Sequence, residues 1–165
     1  MPLVLMIASV LSLAGMDRRI VIDTSVWIAA LKSAGGASRE VLRLCLRREC
    51  QPLVGQALLA EYEDLMGRAD LFRDSPLSEG ERGELLDAFL SVAEWVPVFF
   101  LWRPNLADEN DNHLIELAVA GAARALITHN RRDFQGSELK FPQLDIMTPA
   151  EFLKQWRDDH GDDDN

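Results

Sequence analysis

The sequence predicts an α/β protein with a central parallel sheet, and three observations carry that reading. From Arg18 onward, short apolar runs alternate with longer amphipathic ones, the pattern of repeated strand–helix units. Polar residues follow directly on those runs: Asp23 after Ile20-Val21-Ile22, and Asn130 after Ala125-Leu126-Ile127-Thr128. Such side chains collect beyond the carboxyl ends of strands in open α/β sheets, where loops and helix starts converge. The third observation is the length of 165 residues, which suits one domain with one core.

Strands are predicted at 19–23, 51–54, 95–100, 125–128 and 144–147. Ser38 is placed as an N-cap before the apolar positions Val41, Leu42, Leu44, Cys45 and Leu46. Gln56 opens a second helix through Leu58, Leu59, Tyr62, Leu65 and Met66. Ser78 and Glu81 have capping-box spacing ahead of Leu85, Leu86, Phe89, Leu90 and Val92. The 56–67 and 78–92 segments read as a helical hairpin joined by a turn rich in Gly, Asp and Pro. Further helices are expected over 111–123 and from Pro149 to Trp156, with proline in the first turn.

Composition narrows the possible functions. Nearly half the residues are hydrophobic and 27% are charged, which excludes a disordered or fibrous chain over most of the length. The net charge of −10 argues against a general nucleic-acid binder, whose affinity comes from neutralising phosphates. Five Asp lie in the last eight residues, so the remainder carries only −5. Residues 158–165 are therefore expected to form a frayed acidic tail outside a 16–157 domain. Cys45 and Cys50 show neither CxxC spacing nor a Cys/His cluster and read as reduced, half-buried thiols, favouring a cytoplasmic protein. The apolar stretch 3–14 is short of the roughly 20 residues that span a bilayer, and no Lys or Arg precedes it. We read residues 1–15 as an upstream extension, with Met16 as the natural start; no membrane association is expected.

Asp23, Glu61, Asp108, Asp111 and Asn130 are the candidate site residues. Asp108 and Asp111 are spaced i, i+3, so a helical turn presents both on one side. Glu61 borders the apolar face marked by Leu58, Tyr62, Leu65 and Met66, whereas Glu63 and Asp64 point farther toward solvent. Oxygen donors of this kind suit a hard cation, and hard cations suit phosphodiester chemistry. Each residue also has an ordinary structural reading: Asp23 as a helix cap, Glu61 as a solvated helix residue, Asp108 and Asp111 as favourable helix N-terminal charges, Asn130 as a turn residue. Their combination is what points to a site. Arg39, Arg43 and Arg47 recur every four residues, and Arg131 and Arg132 follow Asn130; both sets are candidate phosphate contacts. His113 and His129 read as surface or capping groups outside any metal shell.

Four segments together resemble the PIN-domain family of metal-dependent nucleases, which includes the VapC-like toxins of toxin–antitoxin pairs. They are Ile20-Val21-Ile22-Asp23-Thr24-Ser25-Val26, Leu59-Ala60-Glu61-Tyr62, Asp108 through Ala118, and Ile127-Thr128-His129-Asn130-Arg131-Arg132-Asp133-Phe134. The resemblance implies a three-layer α/β/α fold, an Mg²⁺ or Mn²⁺ ion held by Asp23, Glu61 and Asp111, and supporting roles for Asp108 and Asn130. It implies an RNA substrate, a cognate antitoxin protein and a homodimer. The departure is Asn130, where many members carry an acidic residue. That change motivates a rival reading, a catalytically silent PIN domain that binds RNA or protein. A phosphatase using Asp23 as nucleophile lacks the DxD arrangement, since Thr24-Ser25 follows, and no GxxxxGK[ST] loop is present.

Overall fold

The computed structural model describes residues 18–98, 112–138 and 140–161. Five parallel strands form one sheet in the order β3-β2-β1-β4-β5: β1 Arg19–Ile22, β2 Gln51–Val54, β3 Glu94–Trp95, β4 Ala125–Ile127 and β5 Asp145–Met147. Helices α1 Thr24–Lys32 and α2 Ala37–Leu46 join β1 to β2, and α3 Gln56–Met66 and α4 Glu79–Val92 join β2 to β3. Helix α5 Asn112–Ala120 precedes β4, α6 Gln135–Glu138 precedes β5, and α7 Pro149–His160 follows it. From β1 to β3 the chain steps one way across the sheet, and from β4 to β5 it steps the other. Because parallel crossovers are right-handed, reversing the direction puts helices on both faces and produces the three layers.

The reversal places β1 and β4 side by side at the switch point, where open α/β sheets bind ligands. Ile20, Val21 and Ile22 pair with Ala125, Leu126 and Ile127, and the Asp23 N–H continues the ladder to the Ile127 carbonyl at 3.0 Å. All six paired residues are buried, as expected of strands covered on both faces. In β2, the Gln51 N–H bonds toward β1 through the Arg18 carbonyl, so the donor missing at Pro52 would have faced β3, whose pairing begins only at Leu53.

Several local expectations need correction. Helix α2 starts after Gly36, not Ser38; Ser38 lies buried in the first turn, where its hydroxyl is taken up by His129. The strand expected at 95–100 is described only as Glu94–Trp95, and residues 99–100 lie outside the described residues. The predicted helical hairpin does not pack side by side, because α4 lies against α2 and β2. The intervening Ala69–Phe72 turn packs on α1, and Phe72 sits beneath the buried Arg82 guanidinium at 4.7 Å. Residues 56–66 and 79–92 meet instead through an aromatic cluster, with Trp27 centred 5.5 Å from Tyr62 and 5.2 Å from Phe89. Helix α7 continues past Trp156 to His160, and Asp159 pairs with Arg124 at 2.8 Å, so part of the expected tail is helical.

Other expectations hold. The Ser78/Glu81 capping box is formed in both directions at the start of α4. Cys45 and Cys50 are free thiols, more deeply buried than expected, and burial pushes the Cys50 thiol up to about 12. Gly121 follows α5 where a Cβ would come within 2.5 Å of a Leu53 methyl, so a side chain there would force Leu53 to shift. Among the described residues no helix is long and apolar enough to cross a membrane.

Candidate active site at the ends of β1 and β4

Asp23 occupies the N-cap position of α1, but its side chain does not cap the helix. Its backbone carbonyl accepts from the Val26 and Trp27 N–H groups at 3.1 and 3.3 Å, leaving the carboxylate for other partners. Those partners are hydroxyls. Ser25 and Thr128 donate to Oδ2 at 2.9 and 2.7 Å, while Thr24 reaches Oδ1 at 3.2 Å.

The loop after β4 sets the polarity of the two shorter contacts. The His129 N–H donates to Ser25 Oγ at 3.1 Å, and the Asn130 N–H donates to Thr128 Oγ1 at 3.0 Å. With a lone pair engaged by a backbone donor, each hydroxyl turns its own hydrogen to the carboxylate. Oδ2 is thus doubly braced, whereas Oδ1 keeps capacity to bind a ligand.

The carboxylate is only 5% exposed. No Lys or Arg among the described residues bonds to it. An ionised carboxylate in such a place is costly without positive charge, and a hard cation on Oδ1 would offset that cost.

Tyr62 fixes the second element. Its buried hydroxyl donates to the Ile22 carbonyl at 2.5 Å, tying α3 beneath the last residue of β1. Burial pushes the phenol well above its usual range, with the Asp23, Cys45 and Glu61 charges adding to the effect, so it remains a donor. Glu61, next along α3, is half-buried, while Glu63 and Asp64 are exposed. Of the three neighbouring carboxylates, the one that periodicity singled out is the least exposed.

The other partner of Glu61 was missed in the sequence. His113 Nε2 lies 2.7 Å from Glu61 Oε1, bridging α5 to α3 across 52 positions. One turn further on, Glu116 is buried, and with His113 it lines a hollow of about 610 Å³ bounded by the start of α3 and Trp95–Val98. The detectable signal was the spacing of His113 and Glu116 at i, i+3, one face of a helix that opens just after Asp111. The hydroxyls of Ser25 and Thr128 were also missed, because as short polar residues at strand and helix boundaries they carry no distinguishing pattern.

Asn130 contributes through its backbone, as described; its side chain is exposed and does not cap the Arg131–Phe134 turn. Asp108 and Asp111 lie outside the described residues. Among the described residues no three His, Cys, Asp or Glu side chains form a metal-binding group. The basic stripe on α2 is largely committed to structure. Arg39 donates to the Ala30 carbonyl at 2.6 Å, and Arg43 pairs with Glu40 and donates to the Ala34 carbonyl at 3.0 Å.

Residues 19–132, from the first residue of β1 into the loop after β4, match the PIN-domain family. The chain belongs to that family. Among solved structures, VapBC2 from Rickettsia felis, determined bound to a DNA fragment from its promoter, shares the fold. Its TM-score is 0.50 at 16% identity, covering 78% of this chain and 96% of that one. No curated protein matches the sequence. In this PIN domain, then, Asp23 follows β1 and Glu61 lies on α3, and Tyr62 ties those two elements together.

Proposed function

We propose that this PIN domain is an Mg²⁺- or Mn²⁺-dependent endoribonuclease acting in the cytoplasm as the toxin of a toxin–antitoxin pair. The observation that carries the reading is Asp23: a buried carboxylate at the switch point, braced on one oxygen by two hydroxyls and lacking any cationic partner among the described residues. Asp23, Glu61 and Asp111 are the ligands we assign to the ion, with Asp108 and Asn130 supporting them. The chemistry such an ion supplies is a lowered pKa for water and charge neutralisation at the scissile phosphate.

The chain's own groups do the rest. Ser25 and Thr128 hold the Asp23 carboxylate in one orientation, and His113 holds Glu61 where it can bind the ion or orient the attacking water. Residue packing around Trp27, Tyr62 and Phe89 keeps α3 from drifting away from β1. The antitoxin reading is supported by likeness in fold to VapBC2, and the homodimer is proposed from the family resemblance alone.

The exposed amide of Asn130 favours a second reading, a silent PIN domain that binds RNA or protein without cutting. Incubating purified protein with structured and single-stranded RNA plus Mn²⁺ or Mg²⁺ separates them. Cleavage that disappears with chelator and in Asp23→Asn supports the nuclease; intact RNA with folded, partner-free protein supports the silent module. Co-purification of a small protein from the native host tests the antitoxin.

A further inference from the structure

Directly after the strand that braces Asp23, the loop following β4 lines a second hollow of about 620 Å³, with His129, Asn130, Arg131, Arg132, Asp133 and Gln135 around it. It begins one residue after Thr128, which braces Asp23, so whatever sits in it adjoins the proposed cleavage site. Two adjacent arginines line it, yet their situations differ. Arg131 contacts Glu151 at 3.4 Å, and it also lines a separate hollow over β5 and α7 with Leu144, Met147 and Gln155. Glu151 is itself fixed by the capping box with Thr148, so Arg131 is directed toward α7. Arg132 is exposed, and its guanidinium forms no ion pair or hydrogen bond among the described residues.

Two further features give the hollow a defined shape. The His129 imidazole is held by Ser38 at 2.9 Å and its backbone N–H by Ser25, which fixes the loop against both α2 and the Asp23 cluster. The exposed Asn130 amide stands next to it with donors to offer. Asp133 is the one carboxylate in the lining and is half-buried; its charge limits the hollow to a single contact rather than a basic patch.

We propose that this hollow seats a backbone phosphate of the RNA next to the scissile one, with Arg132 as its ligand, Asn130 assisting, and Arg131 withheld by Glu151. A guanidinium with all its donors unspent matches the forked geometry of phosphate oxygens. The inference rests on the ribonuclease reading for its substrate. It adds that binding along the strand depends on one particular arginine of an adjacent pair.

The test measures anisotropy of a short fluorescein-labelled single-stranded RNA against the full chain with Ca²⁺ over a series of KCl concentrations, alongside cleavage with Mn²⁺. Arg132→Gln is expected to weaken binding several-fold and to reduce the slope of log K against log salt by about 0.7, the value for one phosphate contact to a single strand. Arg131→Gln is expected to keep the wild-type slope. Because Arg132 is exposed and unpaired, circular dichroism of its variant should match wild type. Binding that depends on Arg132 without any cleavage supports this inference while overturning the nuclease reading. Cleavage with equal slopes for wild type and Arg132→Gln overturns the inference alone, as does an equal loss in Arg131→Gln. RNA neither bound nor cut overturns both. An unchanged RNA slope with loss of a co-expressed partner protein reassigns the hollow to that partner and also overturns the proposal.

Discussion

The two candidate carboxylates that the structure describes, Asp23 and Glu61, are held in different ways. Asp23 is buried, lies at the end of a central strand, and is braced by hydroxyls whose own lone pairs are engaged by backbone donors. Glu61 lies on a helix, its side chain is 39% exposed, and it is held by one contact to His113. The difference teaches that rigidity here comes from the sheet: a group fixed by the β1–β4 ladder inherits its geometry, while a group on α3 depends on how helices approach one another. On the proposed metal reading, Asp23 would meet the ion already oriented, and Glu61 would reach it from a single side-chain contact.

The comparison can be tested from the largest effect downward. Asp23→Asn keeps the shape but removes the charge and is expected to lower metal-dependent RNA cleavage by more than about a hundredfold, roughly 3 kcal/mol; a gel assay with and without chelator measures it. The double variant Ser25→Ala, Thr128→Val leaves the carboxylate but removes its braces. It should weaken Mn²⁺ affinity by about 10- to 100-fold in calorimetry, the usual cost of lost outer-shell contacts.

His113→Gln should cost less, about tenfold or under, because Glu61 is partly exposed and is held by this one contact. If this variant loses more affinity than the Ser25/Thr128 double variant, the contrast between rigid and adjustable carboxylates is reversed. Tyr62→Phe tests the clamp between them. Losing its bond to the Ile22 carbonyl is expected to destabilise the fold by about 1–3 kcal/mol in urea titration and to reduce cleavage through Glu61 rather than Asp23.

How much of this was legible beforehand depends on the range of the interaction. Ile20-Val21-Ile22, Leu53-Val54 and Ala125-Leu126-Ile127 declared their strands because residues buried on both faces read as continuous apolar runs. The capping box at Ser78 and Glu81 was readable because it is local, four residues in all. Ser38 shows the limit: its type and position suit a cap, but His129, 91 positions away, takes its hydroxyl. The stripe of Arg39 and Arg43 was visible, but their bonds to the Ala30 carbonyl in α1 and the Ala34 carbonyl in the α1–α2 connection depend on how those helices meet, which the pattern left undefined. Ranking Glu61 as less exposed than Glu63 and Asp64 needed only helical periodicity, whereas finding its contact with His113 required knowing that α5 meets α3. Short strands such as Glu94–Trp95, with Trp95 55% exposed, leave little alternation to read.

The bond from Thr128 to Asp23 joins residues 105 positions apart. On a ribosome, Asp23 emerges early and its braces emerge much later; at roughly 5–20 residues per second, the delay is about 5–20 s. Throughout that interval β1 lacks its β4 neighbour and the carboxylate lacks both Thr128 and the backbone donor that orients Ser25. A nascent chain therefore carries Asp23 without its Thr128 contact until β4 has joined the sheet. On the proposed ribonuclease reading, cleavage would wait for that step and spare the machinery producing the chain.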